Sequence, residues 1–297
     1  MTIQFNCPKC DELIAFDSKH IGKRARCISC GQILIIPAKD YEKAQKIEVE
    51  VEQAEPLGGF YRAVFVDSCK LFVDRENVTS LVFVAAAVCF KFFLARGICC
   101  VNYLTSTVVW GLLFGFYLNI IYEAAFGVDK LPEIHLGTGF TLFWYIVKPF
   151  FTFFITLFVV WLPFIVTLAL LENKGIGFEN MWRLEFGPRL LLQIFFIVGL
   201  FFFPMAILTT SVGRDITLLR PDYLFRPIRS AFGSYLVTFC LLVVFGVLES
   251  QSGQYAGAGL AVTMAYLGMN LVGQVIAIMA MRSIGLFYRH YNCYIRW

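Results

Sequence analysis

The chain has 297 residues, of which 59% are hydrophobic, 17% aromatic and only 15% charged, and its formal net charge is +4. Soluble domains carry about 25% charged residues, so this composition excludes an ordinary soluble domain and points to a membrane body. A charge of +4 over this length also supplies no strong field directed at nucleic acid or anionic lipid.

In chain order, the first residues are polar. Residues 1–46 contain no apolar core of a signal peptide, so the sequence predicts an uncleaved, cytoplasmic N-terminus. Within them Cys7, Cys10, Cys27 and Cys30 form C-x2-C, 16 residues, C-x2-C. At this spacing two knuckles can bring four sulfurs tetrahedrally around one ion. Four thiolates with no spare position favour one structural Zn2+ over a catalytic metal, which would keep a water. Two disulfides or an iron site are the alternatives, and His20 is a weak fifth candidate ligand. Short strands are expected at 3–5, 13–16, 24–26 and 33–36, with Gly22 and Gly31 in turns. A unit this small cannot fold on apolar burial alone, so the metal supplies much of its folding free energy. Lys19, His20, Lys23, Arg24 and Arg26 lie between the knuckles, but Asp11, Glu12 and Asp17 nearly balance them and no aromatic residues interleave. Nucleic-acid binding is therefore not expected, and a protein contact is preferred.

Phe5, Cys7-Pro8-Lys9-Cys10, Gly22-Lys23, Arg26-Cys27, Cys30-Gly31 and Pro37 together resemble the short zinc-ribbon domain at the N-terminus of many bacterial proteins, often ones with membrane regions. The resemblance implies zinc and a ribbon fold and no particular activity.

The stretch 38–59 is acidic, nearly devoid of aromatics, and ends in Pro56-Leu57-Gly58-Gly59; it reads as a tether. Residues 60–73 alternate apolar and charged positions as an interfacial or short packing helix does. Six spans are expected, over 78–94, 98–122, 150–171, 190–212, 235–248 and 259–281. Each approaches the roughly 20 apolar residues that cross a bilayer. The third is the clearest, because residues 140–171 hold one charged side chain, Lys148. Lys148 and Pro149 are expected to mark its start, with 140–147 in the interface. Lys91 and Arg96 are expected to snorkel, Pro204 to kink the fourth span, and 172–186 to lie on the surface. Small residues in the sixth span allow close helix packing. Arg214, Arg220, Arg226 and Arg229 in one loop, with Arg282, Arg289 and Arg296 in the tail, place both loop and tail in the cytoplasm.

Leu219-Arg220-Pro221, Ile228-Arg229, Met281-Arg282, Gly285-Leu286 and Tyr288-Arg289 resemble a planctomycete-like group of multi-pass bacterial membrane proteins. That resemblance implies a six-helix body without an activity.

Chemistry is sparse. His20, His135 and His290 fall outside the expected spans, and no G-x-S-x-G, H-E-x-x-H or phosphate-binding glycine loop occurs. No catalytic residues are assigned and enzyme activity is not expected. The intramembrane polar candidates are Asn119, Gln193, Glu249 and Gln274, each of which can serve either a pathway or helix-to-helix hydrogen bonding.

The sequence thus predicts a mainly α protein, a six-helix transmembrane bundle preceded by a small β zinc ribbon. Its parts are a ribbon at 1–37, a flexible charged linker at 38–59 and a polytopic membrane domain at 60–297. The expected role is a non-enzymatic protein of the bacterial inner membrane, both termini cytoplasmic, whose ribbon binds a cytoplasmic protein or organises an assembly. The alternative is a small-solute or lipid transporter with a regulatory ribbon. The bilayer is one partner, and an oligomer is compatible with the sequence.

Overall fold

A computed structural model describes residues 2–7, 10, 12–36, 55–94, 99–134, 140–172, 186–213, 221–252 and 259–295. Residues 38–54 of the expected linker at 38–59, residues 173–185 of the expected surface segment at 172–186, Arg96, Arg214, Arg220, Arg296 and His135 lie outside them. Contacts divide the chain into two units, Met1–Ala54 and Glu55–Trp297.

The first unit is two antiparallel hairpins. Strand β1 (Thr2–Asn6) pairs with β2 (Leu13–Asp17), setting Phe5 opposite Ile14. Strand β3 (Arg24–Arg26) pairs with β4 (Ile33–Ile35), setting Ala25 opposite Leu34. Alternation along the strands turns Phe5, Ile14, Leu34 and Ile36 inward with Cys7 and Cys27, and Phe16 stacks on Phe5 at 6.2 Å between ring centroids. This small core leaves the rest of the hairpins exposed.

The second unit is helical throughout. A short lead-in consists of α1 (Phe60–Arg62), a π-helical turn (Ala63–Asp67) and α2 (Ser68–Leu71). Its buried face is Phe60, Val64, Ser68 and Leu71, at helical spacing. Asp74 then caps the next turn by accepting the Glu76 N–H at 3.1 Å. There follow α3 (Val78–Leu94), α4 (Cys99–Ala125), α5 (Phe140–Val160), α6 (Leu162–Glu172), α7 (Phe186–Val212), α8 (Pro221–Ser230), α9 (Phe232–Ser252) and α10 (Leu260–Tyr291). Six of these helices are long and apolar enough to cross a membrane.

Helix α4 is central and α5 peripheral: 56% of the α4 span is buried against 11% of the α5 span. The outward faces of α5, α6 and α7 carry Phe151, Phe154, Phe158, Leu170 and Ile197, as a lipid-facing surface does. Close approach between helices depends on glycine at particular points. A Cβ on Gly285 of α10 would stand 2.4 Å from the Ile121 carbonyl oxygen, and one on Gly111 of α4 would stand 2.5 Å from Ile146 Cγ2.

Three boundaries differ from expectation. Helix α5 begins at Phe140 and runs through Lys148 and Pro149, so these residues lie inside the helix and not at its start. The apolar run instead breaks at Trp161, where Pro163 in the first turn of α6 cannot donate to the Val159 carbonyl. Helix α10 continues past residue 281 to Tyr291, so Arg282, Arg289 and His290 are helical.

One side of the bundle gathers the chain's entry and the end of α10. The Leu57 N–H donates to the His290 carbonyl at 2.9 Å, and the Phe60 ring packs edge-on against His290 at 5.7 Å. On the same side buried Asn77 accepts the Leu131 N–H at 2.9 Å and donates to the Leu71 carbonyl, while Ser80 donates to the Pro132 carbonyl at 2.7 Å. These bonds fix the turn after α4 against the start of α3. Asp129 in that turn receives Arg282 Nη2 at 2.8 Å and Arg289 Nη1 at 3.3 Å.

Candidate metal centre and polar sites of the helical unit

Each hairpin of the first unit turns through one C-x2-C pair. The Cys7 N–H donates to the Glu12 carbonyl and the Cys27 N–H to the Gln32 carbonyl, both at 2.9 Å; the Gly31 N–H closes on Cys27 at 3.0 Å. Gly31 has φ +71°, where a side chain would be strained. Both pairs of sulfurs converge at these turns.

All four Sγ atoms lie within 4.8 Å of one another. Cys7 and Cys30 are 3.6 Å apart and Cys10 and Cys27 3.7 Å, far outside a disulfide bond. A tetrahedron of bonds of about 2.3 Å separates its sulfurs by about 3.8 Å. The donor set therefore fits one tetrahedral thiolate-bound ion. His20 stays out of the group. The Glu12 backbone N–H favours the Cys10 thiolate, but desolvation and hydrogen bonding from Cys30, Cys7 and Cys27 prevail and push this thiol up to about 12. Without a cation Cys10 therefore keeps its proton at neutral pH.

The four polar candidates of the helical unit do not converge on one point. Glu249 forms an ion pair with Lys91 of α3, and Lys91 Nζ also stands 4.2 Å over the Trp110 ring of α4. Lys91 is therefore part of the bundle's interior contacts and does not snorkel. Gln274, 3% exposed, accepts the hydroxyl of fully buried Tyr117. Its Nε2 and Glu249 Oε2 are buried without partners among the described residues. Ser252 and Asn270 bond α9 to α10 at 3.2 Å. Asn119 donates to the Tyr145 hydroxyl at 2.9 Å across α4 and α5. Gln193 sits half-buried on α7 beside Leu192, which packs on Phe164 of α6, away from the others.

Sequence reasoning missed Lys91 as the partner of Glu249, although a signal existed. Each stands three residues before the end of its helix, on the first and fifth spans, which leave the bilayer on the same side. Tyr117 and Asp129 carried no comparable signal. Pro204, expected to kink the fourth span, lies inside the continuous helix α7, and the Tyr235 hydroxyl donates to the Phe201 carbonyl in the turn before it.

Among the described residues of this unit, two cavities stand out. One, of about 1100 Å³, lies beside the lead-in and the end of α10, and is lined by Arg62, Asp67, Lys70, Asp129, Arg282 and Arg289 among others. Lys70 pairs with Asp67 at 2.7 Å, which holds that carboxyl below its ordinary range. The second, of about 680 Å³, lies between α4, α5 and α7.

Comparison with protein-family models, with curated proteins and with solved structures finds no match to this chain.

Proposed function

We propose that this chain is a non-enzymatic, multi-pass protein of the bacterial inner membrane whose N-terminal unit binds one structural Zn2+ through Cys7, Cys10, Cys27 and Cys30. In this reading the zinc ribbon recruits a cytoplasmic protein. The observation that carries it is the closed four-sulfur group: sulfur separations of 3.6 and 3.7 Å leave no ligand position for a substrate or water. Zinc is favoured over iron by the all-thiolate tetrahedral shell and by the redox inertness a structural ion needs. The arginines of α8 and α10 favour cytoplasmic termini by the positive-inside rule, and in the cytoplasm thiols stay reduced.

The test is metal content and co-purification on the detergent-solubilised chain and a Cys7→Ser, Cys27→Ser variant. About one zinc per chain, lost in the variant together with a specific protein partner, supports the reading. Metal that persists in the variant overturns the ligand assignment, and partners that are unchanged overturn the adaptor role.

A second reading, transport of a small solute, draws support from the Lys91–Glu249 and Tyr117–Gln274 contacts inside the bundle, with two buried polar atoms unpartnered. Flux through reconstituted vesicles that falls in a Gln274→Leu variant, with partner binding intact, would favour it over the first.

A further inference from the structure

We propose that the cleft between α4, α5 and α7 binds the headgroup of an anionic phospholipid, with Lys148 taking the phosphate and a set of acceptor oxygens taking headgroup hydroxyls. The cleft has about 680 Å³ of space, within the range of small-molecule sites. It lies at the level of lipid headgroups: Thr210 and Ser211 stand in the last turn of α7, and Tyr122 stands three residues before the end of α4. Trp144, 55% exposed, flanks the opening as an interfacial tryptophan does.

Its chemistry selects the ligand. Lys148 is exposed, and no carboxylate pairs with it among the described residues, so its ammonium can meet an anion. No acidic side chain lines the cleft, so the ammonium of a zwitterionic headgroup would find no partner there. Three of the cleft's hydroxyl protons are already used within their own helices. Thr152 donates to the Lys148 carbonyl at 2.9 Å, Thr210 to the Ala206 carbonyl at 3.2 Å and Ser211 to the Leu208 carbonyl at 3.1 Å. Each of these oxygens can therefore only accept. Pro149 has no N–H, which leaves the Tyr145 carbonyl without its i+4 donor beside Gly115 and adds one more acceptor. One cation and several acceptors match a phosphodiester that carries hydroxyl groups, such as the headgroup of phosphatidylglycerol. Acyl chains would lie along the exposed aromatic and aliphatic face of α5.

The experiment uses the full chain in bilayers of phosphatidylcholine with a rising fraction of phosphatidylglycerol, with one or the other lipid brominated in its acyl chains. Quenching of Trp144 is isolated as the difference from a Trp144→Phe variant. Phosphatidylglycerol should be preferred at Trp144 by about fivefold, the effect of one lysine at an anionic surface. The preference should vanish in Lys148→Gln and persist in Lys148→Arg. Thr152→Phe, which fills the cleft at constant charge, should also abolish it. Survival in Thr152→Phe would mean that Lys148 merely attracts anionic lipid, and would overturn the site. Equal quenching by both lipids in the unmodified chain would overturn it too. Millimolar inorganic phosphate should leave the preference unchanged; displacement by phosphate would reassign the cleft to a soluble anion.

Discussion

Lys91 and Glu249 show what a charged pair does inside an apolar bundle. Their side chains are 15% and 22% exposed, and Trp110 covers the ammonium. Removing one partner leaves the other charge without compensation, a loss of roughly 3 kcal/mol. Glu249→Leu alone should therefore lower the thermal stability of the detergent-solubilised chain, read from aromatic fluorescence, while adding Lys91→Met should restore most of it. At the metal centre the same logic runs through protons. In the folded four-sulfur geometry without a cation the Cys10 thiol is pushed up to about 12, so at neutral pH an entering ion must displace that proton. Bound metal inverts the shift: thiolate is the folded form, its pKa falls below the unfolded value, and the stability it contributes is present above that value and lost as pH falls. Zinc binding measured in buffers of different ionisation enthalpy should release protons, and acidification should release zinc. The four cysteines were legible because ligand spacing is local. Glu249 was legible as a polar residue in a span, but its partner sits 158 positions away in sequence, and only packing brings the two together.

Between helices, contact distance is set by which glycine faces which backbone. The sixth span is rich in small residues, yet their roles differ. Gly285 meets the Ile121 carbonyl and Ala124, whereas Gly268 has open space around it. A Gly285→Val substitution must push α10 away from α4 and should cost about 1–3 kcal/mol. Gly268→Ala should be neutral or slightly stabilising, by up to about 1 kcal/mol, because alanine is the better helix former. Thermal unfolding of the two variants in the same detergent checks both signs. Composition revealed that small residues cluster; it could not reveal which of them touch. The same limit applies to α5. Hydropathy located the run 140–171, but a continuous helix of that length would be about 48 Å, well beyond a bilayer core of about 30 Å. The chain instead divides the run into two helices, α5 and α6, at Trp161. Pro149, read as a start signal, is tolerated within the helix, and Pro163 marks the break.

At the scale of the whole chain, two kinds of folding free energy are joined in one sequence. The first unit rests on four sulfurs and a handful of apolar side chains: Phe5, Ile14, Leu34 and Ile36. The second rests on a continuous apolar core drawn from α3, α4, α5, α7, α9 and α10. Because contacts separate the units at Ala54 and Glu55, loss of one should leave the other standing. A strong chelator should therefore unfold the first unit and spare the second, since a domain of this size without its metal lacks the core to stay folded. The readouts are distinct. Limited proteolysis should release fragments from residues 1–54 while the helical remainder stays intact, and far-ultraviolet circular dichroism should keep its helical minimum. Readdition of zinc should restore protection of the N-terminal unit. Chelation that also lowers the helical signal would mean that the metal centre supports the bundle itself, and the ribbon would then be part of the membrane body's stability rather than an independent recognition module.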